Sequence, residues 1–352
     1  MPDLVVAGAG MAGLAAAAEA RSLGAEVALR EKLDRPGGSM RLSSGVIWRH
    51  RSLKRFHGEC AAGDLALQRL VFERLDADLD WLESLGAPVR ERGTGNPVTT
   101  GARFDVDGLT SALVGAAGGV ELRAPVTCPS AEAPLVLATG GFAASRELLR
   151  RHVTPEASHV LMRCAPGNQG DGLRIGLEAG GSLGPGMGDA YVRNMPAPPA
   201  RVEPSDFVRL AQLYARHAVV LNARGERFVA RGWAETDVAL WTARQPRARA
   251  WYQVLDAALE RRVRDRTVAE MVAAAADAGA PVRRERGVTV VETVAGVTTT
   301  LGGLRIDARA QAAPGVFACG HDAAGVAAGG YASGLAAALV LGRIAARSAL
   351  GA

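Results

Sequence analysis

The sequence predicts an α/β fold built around a parallel sheet, in a chain long enough for about two domains. Three observations carry that reading. A short apolar run, Leu4-Val5-Val6-Ala7, opens directly into Gly8-Ala9-Gly10-Met11-Ala12-Gly13 and an alanine-rich helical stretch. A second strand over residues 26–30 delivers Glu31, eighteen positions after Gly13. Far down the chain, apolar strands return at Leu135-Val136-Leu137 and Val316-Phe317-Ala318, and a glycine-rich turn enters a long helix near Ser333.

At the first turn each glycine has its own task. Gly8 permits the tight turn, Gly10 lets the backbone approach a pyrophosphate, and Gly13 lets the helix pack close to the strand. The helix runs on to Leu23 and stops at Gly24, and its N-terminus attracts negative charge. Glu31 stands where such a unit needs an acid on a ribose hydroxyl. Strand, glycines, helix, strand and acid in register form a Rossmann-like unit for an ADP-containing dinucleotide. Downstream, an amphipathic helix is predicted over 64–85, ended by Gly86-Ala87-Pro88. Further helices are predicted over 109–117, 171–179, 204–215, 236–242 and 267–278. Pro196-Ala197-Pro198-Pro199 reads as a turn or short extended linker.

Composition sets bounds. A length of 352 residues suits two domains with ample core. No run reaches the roughly 18 apolar residues of a membrane span, and the chain opens on its first strand, without room for a secretory or transit peptide. Cys60, Cys128, Cys164 and Cys319 lack CxxC spacing, which argues against a zinc site or disulfide framework and for a reducing cytoplasm. His217 and the other histidines show no metal-ligand spacing, so no metal is expected. The formal charge of +5 rests on arginine, with Lys32 and Lys54 the only lysines. No stripe of basic and aromatic residues argues for nucleic acid. A weak attraction for an anionic substrate or an acidic carrier protein stays open.

The next segment selects among dinucleotides. Lys32-Leu33-Asp34-Arg35-Pro36-Gly37-Gly38-Ser39-Met40-Arg41-Leu42-Ser43-Ser44-Gly45 is a second glycine- and hydroxyl-rich loop. A nicotinamide cofactor has no evident need for it, whereas a flavin needs amides and hydroxyls along its ribityl chain. Here the chain resembles the fumarate reductase/3-ketosteroid dehydrogenase group of FAD-dependent oxidoreductases. The resemblance recurs at Leu135-Val136-Leu137-Ala138-Thr139-Gly140-Gly141-Phe142, Gly170-Asp171-Gly172 and Val220-Leu221-Asn222-Ala223-Arg224-Gly225-Glu226-Arg227-Phe228. It continues through Thr300-Leu301-Gly302-Gly303-Leu304, Gly315-Val316-Phe317-Ala318-Cys319-Gly320 and Gly329-Gly330-Tyr331-Ala332-Ser333-Gly334-Leu335.

That resemblance implies a glutathione-reductase-type FAD domain over 1–141 and 300–352, with 142–299 as the inserted substrate cap. The β-meander usual before Leu135 is pruned to about a dozen residues. Non-covalent FAD is implied, since the Gly37–Gly45 loop holds no histidine and His50 lies beyond it. Besides Gly8, Gly10 and Lys32, the resemblance implies Ala12 and Gly13 at the pyrophosphate, and Glu31 at the ribose. Gly38, Ser39, Met40, Ser44 and Gly45 would line the flavin and ribityl chain, and Val126 would meet adenine through its backbone. Ala138, Thr139 and Gly140 would flank the pyrophosphate from the other side, with Asp171 reaching back towards the cofactor. Gly320 and His321 would sit by the ribityl chain, and Gly334 and Leu335 at the flavin's pyrimidine edge. A helix N-terminus there suits the negative charge of reduced flavin.

Departures from the group narrow the chemistry. Thr299 and Gly329 stand where fumarate reductases carry a histidine and a carboxylate-clamping arginine, and neither supplies a charge-assisted bond. The expectation is therefore α,β-dehydrogenation, or the reverse enone reduction, of a neutral and largely apolar carbonyl compound. Tyr331 is the candidate carbonyl binder, against a plain wall residue. Tyr191 is a candidate base, against packing. His321 is a candidate proton shuttle, against a ribityl hydrogen bond. Arg227 is a candidate for chemistry, against structural pairing. A double-bond isomerase and a redox-inert FAD-binding interaction protein stay open as alternatives. The electron partner is open too: oxygen, a quinone or a soluble carrier.

Overall fold

The computed structural model describes residues 1–128, 133–229 and 234–352, and divides into two compact units. The first comprises 1–145, 165–189 and 300–352; the second comprises 146–164 and 190–299. Residues 165–189, though they lie inside the inserted stretch of sequence, pack with the first unit.

The first unit is built on a sheet whose spatial order is Gln311–Ala313, Val316–Ala318, Leu135–Leu137, Leu4–Ala7, Val27–Glu31, Glu121–Leu122. All neighbours run parallel except the first pair, which is antiparallel. Leu4–Ala7 lies at the centre with every side chain buried, the mark of a strand covered on both faces. Its carboxyl end feeds the helix Met11–Ser22. That helix crosses the C-terminal helix Gly334–Ala349 so closely that a Cβ on Gly342 would lie 2.4 Å from the Ala12 carbonyl oxygen. Beside the crossing, Arg343 binds Glu19 at 2.7 Å, and also Asp78 of the helix Leu65–Ser84, with Glu19 only 1% exposed. Asp64 caps that third helix by accepting from the amides of Ala66 and Leu67, at 2.8 and 3.1 Å. A small antiparallel sheet, Val46–His50 with Thr99–Phe104 and Val89–Arg92, completes the unit.

The second unit centres on an antiparallel sheet of Val219–Leu221, Arg249–Leu255, Val288–Thr300 and Val282–Glu285. Leu161–Met162 adds to Val288–Thr300 in parallel, and Ala190–Pro196 pairs with the same strand. Tyr214 and Tyr252 meet edge to face at 5.3 Å in its core. Among them Asn194 donates to the Tyr252 hydroxyl at 2.8 Å and to Thr242 at 3.1 Å.

Most predicted helices are present: Leu65–Ser84, Val106–Ala116, Asp171–Glu178, Ala234–Ala243 and Val268–Asp277. The helix expected over 204–215 is not. Only the 3-10 turns Pro204–Asp206 and Ala215–His217 form there. The reason is tertiary: residues 210–215 are buried without interruption, leaving none of the exposed face an amphipathic helix needs. Gln212 ties the segment down, its amide donating to the Asn194 carbonyl at 2.8 Å and its side chain to the Leu210 carbonyl at 2.7 Å.

Candidate cofactor and active site

The cradle forms in the first unit where the parallel strands end. Gly8 adopts a φ of +101°, and a Cβ there would lie 2.3 Å from the Ala138 carbonyl oxygen. At Gly13 a Cβ would lie 1.8 Å from the Gly8 carbonyl oxygen, so the helix rests directly on the turn. Gly10 differs, since a Cβ there meets nothing within 4 Å. That open space adjoins the N-terminus of the helix Met11–Ser22, whose first amides Gly10 cannot cap with a side chain. Uncapped amides beside an open space suit a pyrophosphate.

Glu31 is 7% exposed at the end of its strand. The Ala9 amide donates to one carboxylate oxygen at 2.8 Å and the Leu33 amide to the other at 2.9 Å. An ionised carboxylate accepts about four hydrogen bonds, so acceptor capacity remains for ribose hydroxyls. The Ala124 amide donates to the Glu31 carbonyl at 2.9 Å, which carries the chain past Glu31 to the half-buried Val126. Lys32 forms an ion pair with Asp171 at the start of the helix Asp171–Glu178.

Gly38 opens the 3-10 turn Gly38–Leu42, where a Cβ would lie 3.4 Å from the Gly10 Cα. In that turn the Ser39 hydroxyl accepts from the Ala165 amide at 3.0 Å and from Asn168 at 3.1 Å, and Met40 is buried. Ser44 is exposed. Gly45 has a φ of +71°, and a Cβ on it would lie 2.2 Å from the Phe104 carbonyl oxygen.

On the opposite side Ala138 is buried and Gly140 lies against Asn168, where a Cβ would be 2.6 Å from Oδ1. Thr139 gives both its amide and its hydroxyl to Asp322, the hydroxyl at 3.0 Å. A Cβ on Gly320 would lie 3.0 Å from the Ala12 Cβ, so this turn touches the first helix. His321 is wedged between Gly141 and Gly334, and a Cβ on Gly334 would lie 2.7 Å from its Nε2. That nitrogen is buried and has no hydrogen-bond partner among the described residues. Burial pushes the His321 pKa down to about 4, so the imidazole is neutral beside the start of the helix Gly334–Ala349. Ser333 caps this helix, accepting from the Ala336 amide at 3.3 Å, and Leu335 is half-buried in its first turn.

An uncapped helix start over open space, a buried carboxylate with acceptor capacity to spare and a sealed imidazole nitrogen lacking a partner together fit FAD. Next to this cradle stands an aromatic cluster. The Tyr331 and Trp48 rings lie 5.6 Å apart, Trp48 and His50 5.2 Å, and His50 and Phe56 5.4 Å. The Trp48 amide donates to the Ser333 hydroxyl at 3.4 Å, which ties the cluster to the start of the C-terminal helix. Burial lowers the pKa of His50 against an opposing pull from the Tyr331 backbone. Burial also pushes the Cys60 thiol up to about 12, which leaves it unreactive.

Tyr191 and Arg227 belong to the second unit. Tyr191, on Ala190–Pro196, carries the Arg193 guanidinium 4.5 Å from its ring centroid. Arg227 is exposed, in a bridge opposite Leu221. The same unit holds an acid the sequence did not flag. Glu235 accepts from the Ala215 amide at 3.1 Å, and burial raises its pKa to about 7 against the pull of Arg193 and Arg216. Asp322, Trp48 and His50 were also not singled out; for Asp322 the available signal was its place beside His321.

The comparisons with known proteins bear on family and fold. A model of the FAD binding domain family matches residues 3–108 and 102–335. A vinyl phenol reductase from Lactiplantibacillus plantarum is 26% identical over 277 residues, 64% of this chain and 56% of that protein. The chain thus spans little more than half the length of that relative. A 3-ketosteroid-Δ4-(5α)-dehydrogenase from Rhodococcus jostii RHA1 superposes with a TM-score of 0.75 at 19% identity, over 99% of this chain and 96% of the other. A 3-ketosteroid Δ1-dehydrogenase from Sterolibacterium denitrificans gives 0.73 at 14% identity, over 99% of each chain. A flavocytochrome c3 fumarate reductase in its open conformation gives 0.71 at 21% identity, over 99% of this chain and 78% of that one. At such identities the structural likeness speaks for the fold. The family match covers most of the chain: it belongs to the FAD binding domain family.

Proposed function

We propose that the protein desaturates, or in reverse reduces, a carbon–carbon bond conjugated with a carbonyl or aromatic group in a neutral, largely apolar small molecule. The observation that supports this most is the aromatic cluster of Trp48, His50 and Tyr331 at the start of the Gly334–Ala349 helix. Flat apolar rings and a neutral imidazole favour an uncharged planar ligand over a dicarboxylate. The likeness to a vinyl phenol reductase and to two ketosteroid dehydrogenases supports the same class. The first unit holds the cofactor; Tyr191, in the second, packs against the Arg193 guanidinium, which favours packing over a role as base.

When bound in this cradle, FAD would supply the hydride-transfer chemistry. The residues around it do the rest. Tyr331 donates a hydrogen bond to the substrate oxygen and steadies it as charge builds there. His321, neutral near pH 7, would face the ribityl chain through its unpartnered Nε2 and takes no part in proton transfer at that pH. Arg227, exposed on its hairpin, has a structural part. The four cysteines, none in a disulfide, suit a reducing cytoplasm.

Anaerobic mixing of the holoprotein with saturated ketones, enones and 4-vinylphenol tests the reading. Bleaching of the flavin by a saturated ketone, or reoxidation of reduced flavin by a conjugated alkene, is expected. A shifted double bond with unchanged flavin would instead make the protein an isomerase. No spectral response to any of these compounds, together with turnover of a dicarboxylate, contradicts it.

A further inference from the structure

We propose that Asp322 is the positioning residue of the pyrophosphate side of the FAD cradle, its one buried carboxylate holding the turn 139–141 in place. The side chain is 1% exposed. Its Oδ1 accepts from the Thr139 hydroxyl and from the Gly141 amide, both at 3.0 Å, and its Oδ2 accepts from the Thr139 amide. The Thr139 hydroxyl in turn accepts from the Gly172 amide at 3.0 Å. Three segments far apart in sequence therefore meet around one carboxylate: the end of Leu135–Leu137, the first turn of Asp171–Glu178, and the Gly320–Asp322 turn. The Asp322 carbonyl accepts from the Leu304 amide at 2.7 Å, which fixes the turn from a fourth side.

The arrangement leaves little freedom. A Cβ on Gly172 would lie 2.4 Å from the Asp322 Oδ2. Burial above all, and Asp171 after it, raise the carboxyl pKa against the pull of the Thr139 and Gly141 donors, and those three donors converge on its two oxygens. An asparagine would turn an N–H towards one of those donors. The consequence reaches the cofactor through Ala138, whose carbonyl oxygen a Cβ on Gly8 would approach to 2.3 Å. A turn 139–141 freed from Asp322 no longer fixes the wall on which the Gly8–Gly13 phosphate turn rests.

Titration of the apoprotein with FAD, and separately with ADP, tests this, with far-UV circular dichroism monitoring the fold. Asp322→Asn is expected to weaken both ligands by the same factor, about 10- to 100-fold, because it strands buried donors. Thr139→Val, which removes only the hydroxyl arm, should weaken both by about fivefold. Gly172→Ala is the sharper variant, since alanine is ordinarily favoured in a helix. It should weaken FAD and ADP like Asp322→Asn, and cost nothing further in an Asp322→Ala background. Wild-type affinity in Asp322→Asn and Gly172→Ala overturns the proposal. So does a loss confined to FAD with ADP unaffected, which would move the role to the flavin end, and so does full additivity of Gly172→Ala with Asp322→Ala. Should Asp322→Asn fail to fold, Thr139→Val and Gly172→Ala decide the matter.

Discussion

Glu31 holds two backbone amides, those of Ala9 and Leu33, on the two oxygens of one buried carboxylate. Glu31→Ala strands both donors and removes the acceptor proposed for the ribose. FAD affinity is expected to fall by about 10- to 100-fold in equilibrium titration, with secondary structure retained. An unchanged affinity would remove Glu31 from the cradle. Tyr331 is a different case, because its ring packs on Trp48 and its hydroxyl is the part assigned to substrate. Tyr331→Phe keeps the packing and removes the hydroxyl. Turnover should drop by about 10-fold or more while bound FAD stays at the wild-type level. Equal turnover in the two proteins would make Tyr331 a wall residue.

Among elements, the crossing of Met11–Ser22 with Gly334–Ala349 is fastened by ions. Arg343 reaches Glu19 and Asp78, lies 4.2 Å from the Trp81 ring centroid, and is joined by Arg347 on Glu19 at 2.5 Å. Removing one partner of a buried ion network leaves the others uncompensated and costs about 3–5 kcal/mol. Arg343→Ala should therefore lower the thermal midpoint by many degrees, read by differential scanning calorimetry; a loss near zero would show that water reaches Glu19 and Asp78. In the second unit the start of Ala234–Ala243 carries Glu235, whose pKa in the fold is about 7. A carboxyl raised above its unfolded value favours the protonated native state, so its contribution is complete below the unfolded pKa. It fades as pH rises through the window up to about 7. The contribution is at most about 3 kcal/mol. Glu235→Gln should abolish that part of the pH dependence and be relatively more stable at pH 8 than at pH 5. Parallel stability curves for variant and wild type would contradict the buried-acid account.

For the whole molecule, local signals and distant ones fared differently. The turn Gly8–Gly13 and the acid Glu31 were legible because strand, turn, helix and strand follow one another within a few dozen residues. Gly334–Ala349 was legible for the same reason, with Ser333 announcing its start. The segment 204–215 was not, because its apolar spacing suits a helix while the unbroken burial of 210–215 and the bonds of Gln212 impose an irregular path. Asp322 was legible only as the neighbour of His321, because its role depends on Thr139 and Gly141, which lie 183 and 181 positions away. Glu235 was invisible, since an acid in the first turn of a helix usually reads as a dipole partner facing water.

The most direct measurement is of the colour of the protein and its release. Chain purified from cells, or apoprotein incubated with FAD, should show a flavin spectrum whose chromophore leaves as free FAD on acid precipitation. A folded protein that stays colourless in excess FAD, or that keeps its flavin covalently in the pellet, would contradict the cradle described here.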